Sequence, residues 1–215
     1  MKKKSYLKAR NWMLLFPFLA GNVLIFLYIV YGDKLLKILA HTFDTPFSLR
    51  DKIVSVSTLL VTIILSGIFS SNVKARLVFW RWHDPLPGSR IFSELMKKDS
   101  RIDRNSLEKI HGKLPIEPKA QNTLWYKIYL KHREVVSICG AHKEFLLTRD
   151  MTALSAIFAM LFPIGSLLLH VGMQSALIYF SVLVIQYLAL SQVARNYGRR
   201  FALTVLAEES HSRQP

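Results

Sequence analysis

The chain has 215 residues, is 51% hydrophobic and carries a formal charge of +15 at pH 7. This combination excludes an ordinary soluble domain with apolar and charged residues evenly mixed, because the two would compete for the same surface. A lone cysteine, Cys139, excludes a framework of intrachain disulfides.

The charges are segregated along the chain. Residues 11–32 contain no Asp, Glu, Lys or Arg. A bilayer core of about 30 Å takes roughly 20 helical residues, so this run predicts a first membrane span. Its apolar stretch is longer than that of a signal peptide, which predicts an uncleaved helix. Asn22 falls near mid-span, where a polar side chain needs either a partner helix or a wet cavity. Residues 53–73 are again free of charge and predict a second span. Thr58, Thr62 and Ser66 repeat there at every fourth position, so their hydroxyls share one stripe. That stripe suits a helix interface or the lining of a pore.

Residues 74–150 predict a basic, helical cytoplasmic domain with 16 Lys or Arg against nine acids. Lys74 to Trp82 continues the second span towards the headgroups. The Asp84-Pro85-Leu86-Pro87-Gly88 run must break it, since neither proline nor glycine continues a helix. Ser89 is placed to cap a short helix, SRIFSELMKK. Asp103 or Asn105 caps another, ending near Gly112. Pro118 sits well in the first turn of a longer helix through QNTLWYKIYLKHREVV. A last helix, GAHKEFLLTRD, leads on towards the membrane.

Residues 151–194 hold only His170 and tyrosines as ionisable groups. Their length predicts two further spans, with a turn at 170–174 where Gly172 permits reversal. Residues 195–215 predict a tail helix continuing the fourth span. With no strand-period stretch, the expected fold is all-α: a transmembrane hairpin over 1–73, the basic domain over 74–150, a second hairpin over 151–194 and the tail.

Lys and Arg number five before residue 11, four in residues 33–52, none in the 170–174 turn and four after residue 194. The two tails and the middle domain are the positive sides, which predicts that they face the cytoplasm of a bacterial inner membrane.

Chemistry is thinly marked. His132, Cys139 and His142 are too few and too scattered for a closed zinc set. No nucleophile elbow, phosphate loop, metalloprotease helix or dinucleotide fingerprint occurs, so no enzyme activity, metal or cofactor is expected. His83-Asp84 reads as a turn before Pro85. What remains is a basic and aromatic cluster. Arg81, Arg90, Lys97, Lys98, Arg101 and Arg104, with Trp82, form a candidate site for a nucleotide or nucleic acid, since arginine pairs with phosphate and aromatic rings stack on bases. Arg76 and Trp80 lie in the same stretch. Anionic lipid headgroups would attract the same cluster. Trp125, Tyr126 and Tyr129 form a candidate contact face for a protein partner.

The stretches DPLPGSRIFSELMKKDSRID, KAQNTLWYKIYLKHREV, AHKEFLLTRDMTAL and ARNYGRRFALTVLA resemble a family of small four-span bacterial inner-membrane proteins of antiphage defence systems. These are of the Kiwa membrane-subunit kind or of the nucleotide-gated effector kind. The resemblance implies an oligomeric, pore-forming membrane effector switched by an anionic cytoplasmic signal. The alternative it implies is a membrane sensor or scaffold that recruits a cytoplasmic effector protein.

Overall fold

The structure is a computed structural model and describes residues 2–32, 67, 69–168 and 170–212. Its regular elements are α1 (Lys2–Tyr31), α2 (Ser71–Phe79), α3 (Arg104–His111), α4 (Pro118–His132), α5 (Val136–Leu168) and α6 (Met173–His211), with a run of tight helical turns over Pro87–Lys98. Among the described residues there is no strand, so the all-helical expectation holds.

Four spans were expected. Two helices among the described residues are long and apolar enough to cross a membrane, Val136–Leu167 and Met173–His211. Met13–Ile29 is a shorter apolar helix. Most of the expected second span, including Thr58, Thr62 and Ser66, lies outside the described residues.

The chain forms two compact units, one of residues 1–70 with 150–190 and one of residues 71–149 with 191–215. In the first, Leu19 and Phe26 of α1 pack with Phe158 and Phe162 of α5 and with Tyr179 and Leu183 of α6. Phe162 meets both Phe26 and Tyr179 edge to face, at centroid distances of 5.5 and 4.4 Å, a geometry favoured by the ring quadrupoles. Polar groups turn inward. Gln186 Nε2 donates to Asn22 Oδ1 at 3.2 Å and to Ser155 Oγ at 2.9 Å. Asn22 Nδ2 donates to the Phe18 carbonyl, and Tyr179 donates to the Asn22 carbonyl. Apolar side chains turn outward: Leu167, Met173 and Ile185 are 65–75% exposed.

The turn between α5 and α6 corrects one expectation. His170, not Gly172, takes the left-handed backbone, at φ 54°. Its amide and that of Val171 return to the Leu167 and Ser166 carbonyls, at 3.3 and 3.0 Å. Those bonds meet carbonyls left open at the helix end, which holds a non-glycine residue in an uncommon conformation.

In the second unit α6 lays a buried stripe against the rest. Ala194, Gly198, Phe201, Val205 and Glu209 recur every three or four residues and all are buried, the period of one helix face. Gly198 is required there: a Cβ would lie 2.8 Å from Phe79 and 2.9 Å from Phe145.

Local signals act as read at two helix starts. Asp103 caps α3 by accepting from the Asn105 amide at 2.9 Å. Pro118 opens α4, whose cap Glu117 accepts from the Ala120 amide at 2.6 Å. Three boundaries differ. α4 stops at His132, and α5 begins at Val136, so GAHKEFLLTRD is the first part of a continuous helix rather than a separate one. Residues 195–211 continue α6, as expected of the tail helix.

The third difference is at Ser89, which makes no cap bond; the expected SRIFSELMKK helix is a series of 3-10 and π turns. The reason lies in α4. Gln121 is 1% exposed, and its Oε1 accepts from the Phe92 and Ser93 amides at 3.0 and 3.2 Å. Its Nε2 donates to the Ile116 carbonyl at 2.6 Å. One buried amide therefore partners the Phe92 and Ser93 amides at the head of this segment and ties them to the Ile116 carbonyl.

Candidate functional site

Two constellations stand out in the second unit. The first is a cleft of about 360 Å³ at the bend after α2, lined by Asn72, Arg76, Trp82, His83, Asp84, Pro85, Leu86, Ser89, Lys119 and Asn122. Its walls come from three parts of the chain. α2 supplies Asn72 and Arg76, the 82–89 bend supplies the floor, and the first turns of α4 supply Lys119 and Asn122. Gly88 lets α4 close on the bend, since a Cβ there would stand 2.5 Å from Asn122 Oδ1 and 3.0 Å from Trp125.

The cleft is cationic and aromatic. Arg76 and Lys119 are in no ion pair among the described residues. The Arg76 guanidinium lies 5.9 Å from the centre of the Trp82 ring, and that ring is 76% exposed. Asp84 is the one acid in the lining. Asn122 Oδ1 is buried and has no donor. Trp80 and Asp84, which bracket this bend, both sit in left-handed backbone, at φ 54° and 44°. Such strain in non-glycine residues persists only where surroundings enforce it and concentrates at binding sites.

The second constellation is a carboxylate at the end of α6. Glu209 is fully buried. Lys131 Nζ donates to both its oxygens, at 2.9 and 2.7 Å. His111 Nε2 is 3.0 Å from Oε1, and His132 Nε2 bonds Oε2. A carboxylate only accepts, so both imidazoles carry their proton on Nε2 here. Burial pushes the Glu209 carboxyl up, but the bonds and charges of Lys131 and His132 outweigh it and hold the group below its ordinary value. His111 and His132 occupy the last turns of α3 and α4, and so does Lys131 in α4, where its positive charge suits the negative end of the helix dipole. These partners leave the carboxylate saturated, which marks it as a tie between helices.

The residues singled out in sequence scatter. Trp82 lines the cleft; Arg81, Lys97 and Lys98 are exposed elsewhere on the unit. Arg101 is held by Asp99 in two bonds of 2.9 and 2.7 Å, and Arg104 by Glu108 at 2.7 Å. Arg90 lies 3.8 Å from Glu94, and burial with the neighbouring Arg81 charge lowers its pKa. Local acids thus occupy three of the six expected phosphate-binding cations. Lys119 and Asn122 were missed, because they lie more than 30 residues from Trp82 and only folding brings them to it.

The partner-contact expectation needs correction at Trp125. It is buried, its Nε1 donates to the Ala202 carbonyl at 3.1 Å, and it stacks on Tyr129 and meets Phe201 edge-on. Trp125 is therefore core, because its face of α4 is the one that α6 covers. Tyr129 is half-buried and bonded to His142 at 3.2 Å, whereas Tyr126 remains 51% exposed.

His132, Cys139 and His142 turn to different partners: Glu209, the Arg133 carbonyl and Tyr129. Among the described residues no group of three or more His, Cys, Asp or Glu is placed to hold a metal. Asn22 sits at a helix interface in the first unit, with both ends of its amide bonded.

No family model, curated protein or solved structure matches this chain.

Proposed function

We propose that the chain is a four-span, oligomeric inner-membrane effector of antiviral defence, whose basic helical unit faces the cytoplasm and receives an anionic signal, a nucleotide or oligonucleotide. The observation that carries the membrane part is the contrast between the units. The first exposes aliphatic side chains and keeps Asn22, Ser155 and Gln186 bonded inside. That arrangement suits lipid, where an unmet polar group is costly and an exposed leucine is not. The second buries its apolar core and carries its charge outside, with Trp82, Arg76 and Lys119 around an open cleft. The four-span count and the pore rest on the charge-free runs and the hydroxyl stripe.

The test is extraction and topology in bacterial cells. The protein resists carbonate and dissolves in detergent, a fluorescent protein fused at its C-terminus lights up, and a phosphatase inserted within residues 33–52 is active. Release by carbonate would sink the membrane reading. For the effector part, a voltage-sensitive dye reports depolarisation during phage infection. Replacing Arg76, Arg81, Lys97, Lys98 and Lys119 together with Gln removes that response without altering insertion; an unchanged response counts against the signal-receiving role.

One observation favours a second reading, a scaffold that recruits a cytoplasmic effector. Tyr126 and Leu130 stand one helical turn apart on α4 and are 51% and 42% exposed. Co-purification of a stoichiometric second protein, lost on replacing both by Ser, would move the function to that partner.

A further inference from the structure

We propose that the cleft at the bend after α2 binds a small phosphate ester, with its phosphate on Arg76 and Lys119 and its attached planar group against Trp82. This rests on the reading of the basic unit as the signal-receiving part, and it places that role away from the Arg90–Arg104 segment.

Charge availability distinguishes the two places. Arg101 and Arg104 are neutralised by neighbours two and four residues away. Arg76 and Lys119 come from different helices, face the same cleft and have no ion-pair partner among the described residues. Two free cations converging on one concavity match a phosphate dianion, which arginine and lysine hold by charge-assisted hydrogen bonds.

The remaining lining fits the rest of such a ligand. Trp82 offers a ring that is largely in water and backed by Arg76, a surface on which any planar heterocycle can stack. Ser89, Asn72 and Asn122 supply hydrogen-bonding groups to the wall. The Asn122 amide is kept there although its oxygen, closed in against Gly88, has no donor. A buried acceptor without a partner is a cost that ordinary packing removes. Asp84 restricts the class further: a carboxylate in the lining repels a polyphosphate or a nucleic-acid backbone, while accepting a bond from a ligand hydroxyl or amino group. The volume, about 360 Å³, lies at the lower end of small-molecule sites. One phosphate with one planar group is the size and charge that result. A soluble nucleoside monophosphate and a lipid headgroup share the phosphate ester, and only the first brings the planar group.

The experiment uses the full chain in phosphatidylcholine nanodiscs, titrated calorimetrically with adenosine monophosphate and with inorganic phosphate. Arg76→Gln and Lys119→Gln each weaken both probes about tenfold or more, the scale of one charge-assisted bond. Trp82→Ala weakens the nucleotide and leaves inorganic phosphate unchanged. All three side chains are exposed, so the melting temperature stays constant. In phosphatidylglycerol discs, loss of nucleotide binding at equal ionic strength assigns the cleft to lipid headgroups, and retention assigns it to the soluble ester. Nucleotide binding that survives Arg76→Gln and Lys119→Gln but is lost on replacing Arg81, Lys97 and Lys98 overturns the cleft and leaves the signal-receiving unit standing. If neither probe binds and headgroup charge has no effect on any variant, both fall.

Discussion

The Arg195 guanidinium lies 3.7 Å from the centre of the Trp80 ring, and its Nε donates to the Val78 carbonyl at 2.6 Å. These two contacts explain how α2 ends. Trp80 follows the last helical residue in left-handed backbone, a position that usually takes glycine. Its amide closes on the Arg76 carbonyl at 2.8 Å. Arginine alone combines a flat cation for the ring with a directed donor for the open carbonyl. Arg195→Lys should keep the charge and lose the geometry, lowering stability by roughly 1–2 kcal/mol. Thermal unfolding of the detergent-solubilised protein checks this, and an unchanged midpoint would reduce the pair to a surface contact.

Glu209 makes the acid stability of the second unit predictable in sign. Its carboxyl is held below the ordinary value of 4.5. The unfolded chain therefore binds the proton more readily, and stability falls as pH drops. The contribution is complete above about pH 4.5 and disappears as pH falls through the folded-state value. Glu209→Gln should flatten that acid limb and cost about 1–3 kcal/mol at neutral pH, since Lys131 is half in water and its charge is not stranded. Unfolding midpoints between pH 3 and 7 decide the matter; parallel limbs for both proteins would show that the carboxyl is not perturbed.

Gly198→Ala is a packing prediction. The added methyl would meet Phe79 and Phe145 at 2.8 and 2.9 Å, and both rings sit in the same core. Overpacking of this kind costs about 1–3 kcal/mol. A denaturant midpoint equal to that of the parent would mean that the rings yield without strain.

Gln186→Leu tests the polar interior of the first unit. It removes the bonds to Asn22 and Ser155. On the proposed membrane reading, bonds between such helices average about 0.6 kcal/mol and reach roughly 1.7. The expected loss is of that order per bond, read as a lower detergent denaturation midpoint. A gain in stability would indicate that the amide is kept for a purpose other than holding the helices.

Much of the helical framework was legible. Charge-free runs marked the apolar parts of α1, α5 and α6, Asp103 and Pro118 marked two helix starts, and Gly112 ended α3 at φ 73°. These signals act within one turn of chain, so a linear reading captures them. The 87–98 segment was not legible. It has the composition of a helix, but Gln121, some 28 residues further on, offers its backbone other partners. The basic cluster misled for the opposite reason: Asp99 and Glu108 were in plain view, yet only side-chain geometry shows that they take Arg101 and Arg104.

By itself, the sequence determined that this protein is helical and where its apolar and charged stretches lie, because helix caps, proline breaks and hydropathy act over a few neighbouring residues. Only the tertiary structure decided that Arg76 and Lys119 meet at one cleft, that Trp125 is core and Trp82 is not, and that Glu209 is tied by three residues of α3 and α4. Those outcomes depend on groups 30 to 100 residues apart meeting in space, and burial, which sets their charge and hydrogen bonding, exists only after they meet.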